Sequence, residues 1–137
     1  MSLIKGLRDK PSRLTVASKY TALNGIGYLV VGAILIVCQT VFREPAFTGH
    51  EQALMRVIGL TVAVIGWLYF FGGRSGARQF IAASVIDRLI FVPAVLIPLA
   101  IAAVFPRLFL TFTIIDALLA IGAWVLLARE LKSALGH

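Results

Sequence analysis

The chain has 137 residues, 60% of them hydrophobic and only 14% charged, where soluble domains run at about 45–50% apolar and about 25% charged. A chain this short cannot bury such a surplus in one core, and a mean hydropathy of +0.96 excludes both a soluble globular fold and a disordered chain. The net charge of +7, from 13 Lys and Arg against 6 Asp and Glu, sits between apolar runs without interleaved aromatics, which points to membrane topology and away from nucleic acid.

The expected fold is all-α, an integral membrane four-helix bundle forming a single domain over 1–137. A basic segment, 1–19, comes first. Leu3, Ile4, Leu7, Leu14 and Val16 alternate there with basic residues on either side of Pro11. It reads either as a segment lying on anionic headgroups or as a tail that only fixes topology. The apolar spans follow at 20–42, 53–71, 80–105 and 108–128, each near the roughly 20 residues a helix needs to cross a bilayer. The alternation and shorter period of barrel strands are absent.

The connectors agree with this threading. The loop from Arg43 to Gln52 is polar and carries Pro45 and Gly49. A glycine-rich turn, Gly72 to Gly76, is expected to end the second helix. The Phe105-Pro106-Arg107 link is short enough to make helices three and four a tight antiparallel hairpin. Lys5, Arg8, Lys10, Arg13, Lys19, Arg74, Arg78, Arg129 and Lys132 fall on one side, against Arg43 and Arg107 on the other. The positive-inside rule then places both termini in the cytoplasm, in what is expected to be a bacterial inner membrane. The first span lacks an A-x-A cleavage site, and Val37 stands where a lipid-attachment box before Cys38 would have a small residue, so the span is expected to be retained. Cys38 is the only cysteine, which rules out an intrachain disulfide. The likeness of Ala63–Trp67 to Ala120–Trp124 is read as Trp and Arg anchoring two helix ends at the interface. Duplication of two hairpins is the alternative.

Polar residues inside the spans carry the functional information, because an ionisable group near the bilayer centre costs about 2.5–3.5 kcal/mol on insertion scales. Arg56, Asp87, Arg88 and Asp116 qualify, with Asn24 and Gln39 as weaker cases. At about 1.5 Å per residue, Arg88 and Asp116 fall at similar depths on neighbouring helices, so an ion pair between them is expected. Asp87 points about 100° away from Arg88 on an ideal helix, toward Asn24 or Tyr28. Arg56 shares a helix face with Gly59, Ala63, Gly66, Phe70 and Gly73 and is expected either to project from it toward the bundle or to snorkel to the headgroups. Gly25 and Gly32 in helix one, with Gly59, Ala63 and Gly66 in helix two, form small-residue stripes suited to close packing in lipid. Pro93 and Pro98 free the carbonyls of Leu89 and Ala94 and predict a kink beside a cavity.

Two readings of these charges stand open. Arg56, Asp87, Arg88 and Asp116, with Asn24, line a ligand or proton pathway, or Arg88 and Asp116 are a pair that sets helix register. Enzymatic chemistry has no motif behind it. His50 and His137 lie outside the spans, no Cys/His/carboxylate set has metal spacing, and no cofactor or catalytic residue is expected. The leading function is a non-enzymatic membrane protein, either an accessory subunit of a membrane complex or a binder of a lipid or hydrophobic ligand. The alternative is a small homo-oligomeric transporter or channel built on the intramembrane Asp and Arg residues. Expected partners are membrane lipids, foreign subunits or further copies of the chain, and not nucleic acid.

Tyr20-Thr-Ala-Leu-Asn-Gly-Ile-Gly-Tyr28 with Gly32, and Arg56 followed by Gly59 and Gly66, resemble the small four-helix bacterial membrane proteins grouped around the DoxX-like family. The resemblance covers the first half of the chain and implies the bundle fold without a mechanism or any site residue.

Overall fold

The structure, a computed structural model, describes residues 3–9, 11–38 and 49–136. Among them every element is helical: α1 (Leu3–Arg8), α2 (Val16–Val37), α3 (Gly49–Arg74), α4 (Arg78–Ile86), a π-helical segment (Asp87–Phe91), α5 (Val92–Ile101) and α6 (Pro106–Leu135). Counting α4 to α5 as one continuous rod, four helices are long and apolar enough to cross a membrane. The outward faces are apolar, with Leu23, Val30, Leu60, Leu68, Ile114 and Leu118 all exposed, as a lipid-facing surface requires. The loop expected at 43–52 and the far end of the first span lie mostly outside the described residues, as do Gln39 and His137.

Capping, and not hydropathy, sets several helix ends. α2 starts four residues before the expected span because Thr15 caps it, its hydroxyl accepting from the Ser18 amide at 3.2 Å. α6 runs seven residues past the expected end. There Glu130 accepts from the Ala17 amide at 2.8 Å, satisfying one of the open donors at the start of α2 and tying the last turns of α6 to it. The turn after α3 is shorter than expected. Gly72 and Gly73 stay helical and the chain reverses at Ser75–Ala77, where Gly76 takes φ 72°.

The bundle has one tight seam. Gly25 and Gly32 of α2 meet Gly66 and Gly59 of antiparallel α3, and Gly73 meets Ser18 and Ala22. A Cβ on Gly25 would fall 2.6 Å from the Gly66 carbonyl oxygen, and one on Gly32 would fall 2.6 Å from that of Gly59. The backbones therefore touch directly, and the seven-residue spacing on both helices keeps the seam in register as they wind. Met55, fully buried, continues the inner face of α3 beyond Gly59, and Arg56 is exposed. At about 100° per residue, position 55 lies about 40° from Gly59 and position 56 about 60°. The expectation that Arg56 projects into the bundle is thereby corrected.

The third crossing is looser. Instead of a simple proline kink, it widens into the π segment, where the Val92 amide bonds the Asp87 carbonyl. Pro93 follows at the start of α5, and the wide turn takes up the residue that its ring and missing N–H would otherwise expel. α5 packs against α6 and stands off from α3. Ala103 (φ 60°) and Phe105 (φ 40°) close the α5–α6 hairpin in left-handed backbone.

Candidate functional site

Two buried apolar clusters divide the bundle along its length. Ala17, Ile81, Val85, Ala123 and Leu127 fill the end that carries the Ser75–Ala77 turn. Leu35, Met55, Ala100, Leu108 and Phe109 fill the other. The buried polar residues lie largely between them, and the structure resolves them into two groups.

The first group centres on Arg88, which is 1% exposed. Its Nε donates to the Ser84 carbonyl at 3.1 Å and its Nη2 to the Ser84 hydroxyl at 3.4 Å. The guanidinium carbon lies 5.1 Å from the centre of the Tyr69 ring, a cation–π distance. The Tyr69 hydroxyl donates to Asp87 Oδ2 at 3.4 Å. Tyr69 is itself held edge-on between Tyr28 at 5.6 Å and Phe80 at 5.9 Å. Arg88, Tyr69 and Asp87 thus form one local group through Tyr69, in which Arg88 Nη1 is left without a hydrogen-bond partner. The expected partners of Asp87, Asn24 or Tyr28, are replaced by Tyr69 of α3.

The second group centres on Asp116, which is 6% exposed and whose Oδ1 has no hydrogen-bond partner. The Arg88–Asp116 ion pair expected from depth does not form. Arg88 folds back one turn along its own helix onto Ser84 and sideways onto Tyr69, because equal depth sets the level of two side chains and not the directions in which they leave their helices. Across from Asp116, α2 presents Thr21, Asn24 and Tyr28, spaced three and four residues apart and all buried. Thr21 Oγ1, Asn24 Nδ2 and the Tyr28 hydroxyl each lack a partner. This polar stripe on one face of α2 was readable from its spacing. The role of Tyr69 was not, because a lone tyrosine near a helix end is the ordinary interfacial residue.

Asp116 borders two cavities. The larger, of 440 Å³, lies between α3, the π segment with α5, and α6, and is bordered toward one end by Tyr28, Tyr69, Asp87 and Asp116. Its walls are otherwise almost wholly apolar, including Ile58, Val62, Val95, Leu96 and Phe112. The smaller, of 310 Å³, lies between α2 and α6 and includes Asn24, Tyr28, Phe112 and Asp116. Tyr28, Phe112 and Asp116 are common to both. Arg88 borders neither, and Arg56 is on the outer surface. An apolar chamber of this size with a few convergent polar groups is the ordinary form of a small-molecule site. Searches of protein-family models, curated proteins and solved structures find no match to this chain.

Proposed function

We propose that the protein is a multi-pass bacterial inner-membrane protein, with both termini cytoplasmic, that binds a lipid or other membrane-resident hydrophobic molecule without transforming it. The observation that carries this reading is the 440 Å³ cavity, apolar along its length and polar at one end. The gap between α3 and α5 lets a hydrophobic molecule meet apolar walls and hydrogen-bonding groups together, a combination that the tight α2–α3 seam has no room for. Narrowing the cavity with Ile58→Trp and counting bound molecules by native mass spectrometry tests it. The wild type is expected to retain a bound small molecule that the variant loses, and equal retention by both would refute the reading.

A second reading, a homo-oligomeric transporter, is favoured by one feature: Asp116, Tyr28 and Phe112 border both cavities, so a molecule at Asp116 is in reach of either. It requires an oligomer that moves solute in proteoliposomes, and a monomer without flux would remove it. The orientation has its own test in Cys38, the only cysteine, which is exposed just after α2. A membrane-impermeant maleimide should label it in intact spheroplasts. Labelling only after permeabilisation would reverse the topology.

A further inference from the structure

The ligand class can be narrowed by charge, given the cavity-binding reading above. Asp116 is a carboxylate in an apolar bundle with no cationic partner among the described residues. Arg88, expected at a similar depth, places Nε and Nη2 on Ser84 and its guanidinium over the Tyr69 ring, leaves Nη1 unpartnered, and borders neither cavity. A carboxylate held out of water without a counter-charge is costly unless something else neutralises it. The cavity that it borders also carries the Asp87 carboxylate and the rings of Tyr28, Tyr69 and Phe112. The guanidinium of Arg88 stays out of the lining, next to the Tyr69 ring that forms part of it. An aromatic-walled apolar chamber with two carboxylates at one end and no cation in its lining is complementary to a positive head on a hydrophobic body.

We propose that the cavity binds a lipophilic organic cation, an amine or quaternary ammonium on an apolar body, with its charged head against Asp116 and the Tyr28 ring and its body along α3 and α5. Neutral and anionic amphiphiles of the same length lack the charge that matches Asp116. They fit the walls alone and bind more weakly.

The test uses the purified chain in zwitterionic lipid nanodiscs, with dodecyltrimethylammonium and dodecanol as matched probes and protein-free nanodiscs subtracted as background. The cation is expected to bind at least tenfold more tightly than the alcohol. Asp116→Asn, nearly isosteric, should bring the cation down to the affinity of the alcohol without changing the alcohol itself. Asp116→Glu, which keeps the charge, should restore at least part of the preference, so a loss caused by misfolding is told apart from a loss of charge. Equal binding of the two probes by the wild type, or an unchanged preference in Asp116→Asn, would overturn the cation proposal and leave the hydrophobic-cavity reading standing. Failure of both probes to bind wild type above background would overturn both. Ile58→Trp should abolish binding of both probes, and persistence of either would place it outside this cavity and overturn the proposal.

Discussion

Adding one methyl group to the α2–α3 seam tests how the bundle is held together. In Gly66→Ala the new Cβ would sit 2.5 Å from the Leu29 amide nitrogen, 2.6 Å from the Gly25 carbonyl oxygen and 2.9 Å from the Tyr28 carbonyl carbon. All three are backbone atoms, so no rotamer change can relieve the clash. Carbon atoms pack comfortably at about 3.5–4.0 Å, so the helices must part by roughly 1 Å, and a gap of 0.5–1 Å forfeits about a quarter to a half of each contact's attraction. Because association in lipid rests on such contacts, the loss should reach about 2 kcal/mol, within the range of about 1–3 kcal/mol for overpacked cores. Gly27→Ala is the control, since its Cβ would meet nothing within 4 Å. Its helix propensity should raise stability by about 0.5–1 kcal/mol. Reversible unfolding in mixed micelles reads both changes. Adding Gly25→Ala to Gly66→Ala should cost less than the sum of the two, because helices already parted no longer clash at the second site. A Gly66→Ala protein as stable as the wild type would refute the direct backbone contact on which the fold description rests.

Two further predictions concern the buried charges and the cap. Arg88→Ala removes the guanidinium's hydrogen bonds to Ser84 and its contact with the Tyr69 ring, while Asp87 keeps the Tyr69 hydroxyl, so it should destabilise by about 1.5–3 kcal/mol, the worth of a hydrogen bond to a charged group. Combined with Asp116→Asn it should be additive within about 0.5 kcal/mol in the same unfolding assay, and a large coupling would restore the Arg88–Asp116 pair. Glu130→Ala strips the acceptor from the Ala17 amide and should cost about 1.5–3 kcal/mol, the worth of a hydrogen bond to a charged group. Hydrogen exchange in the first turn of α2 should accelerate with it, and unchanged exchange there would remove the cap.

The four spans are legible because their signal is long-range and redundant, a run of some twenty apolar residues that tolerates errors at either end. The ends are not, since the start of α2 at Val16 depends on one hydroxyl at Thr15, and the extension of α6 depends on Glu130 finding an amide 113 residues away. The small residues could be picked out from spacing, but their pairing needs two helices at once: Gly25 meets Gly66 and Gly32 meets Gly59 only in an antiparallel register. The charges were found by type and depth, while their partners were not. Depth along an ideal helix brings Arg88 level with Asp116, but depth says nothing of direction, and Arg88 turns back onto Ser84 and the Tyr69 ring. Arg56 misled for a related reason: three and four residues from Gly59 both look like one face in a list, and only the angle separates them.

Asp116 offers the sharpest separation between a residue kept for stability and one kept for another purpose. A carboxylate at the centre of a membrane helix costs about 2.5–3.5 kcal/mol on insertion scales, where leucine is favourable by about 0.3–0.6 kcal/mol. Nothing among the described residues recovers that cost, since its Oδ1 is unpartnered and Arg88 is engaged elsewhere. The site is also roomy, with cavities on two sides of the carboxylate, so a leucine can be accommodated without the overpacking that penalises larger residues elsewhere. Asp116→Leu should therefore stabilise the bundle by about 1–3 kcal/mol, because it removes a buried unsatisfied group. The same substitution should eliminate the preference for a cationic amphiphile. Stability measured by unfolding and probe binding measured in nanodiscs would then move in opposite directions in one variant. A loss of stability of about 3 kcal/mol or more, the cost of breaking a buried pair, would mean that the carboxylate has a structural partner and that its burial needs no ligand to account for it.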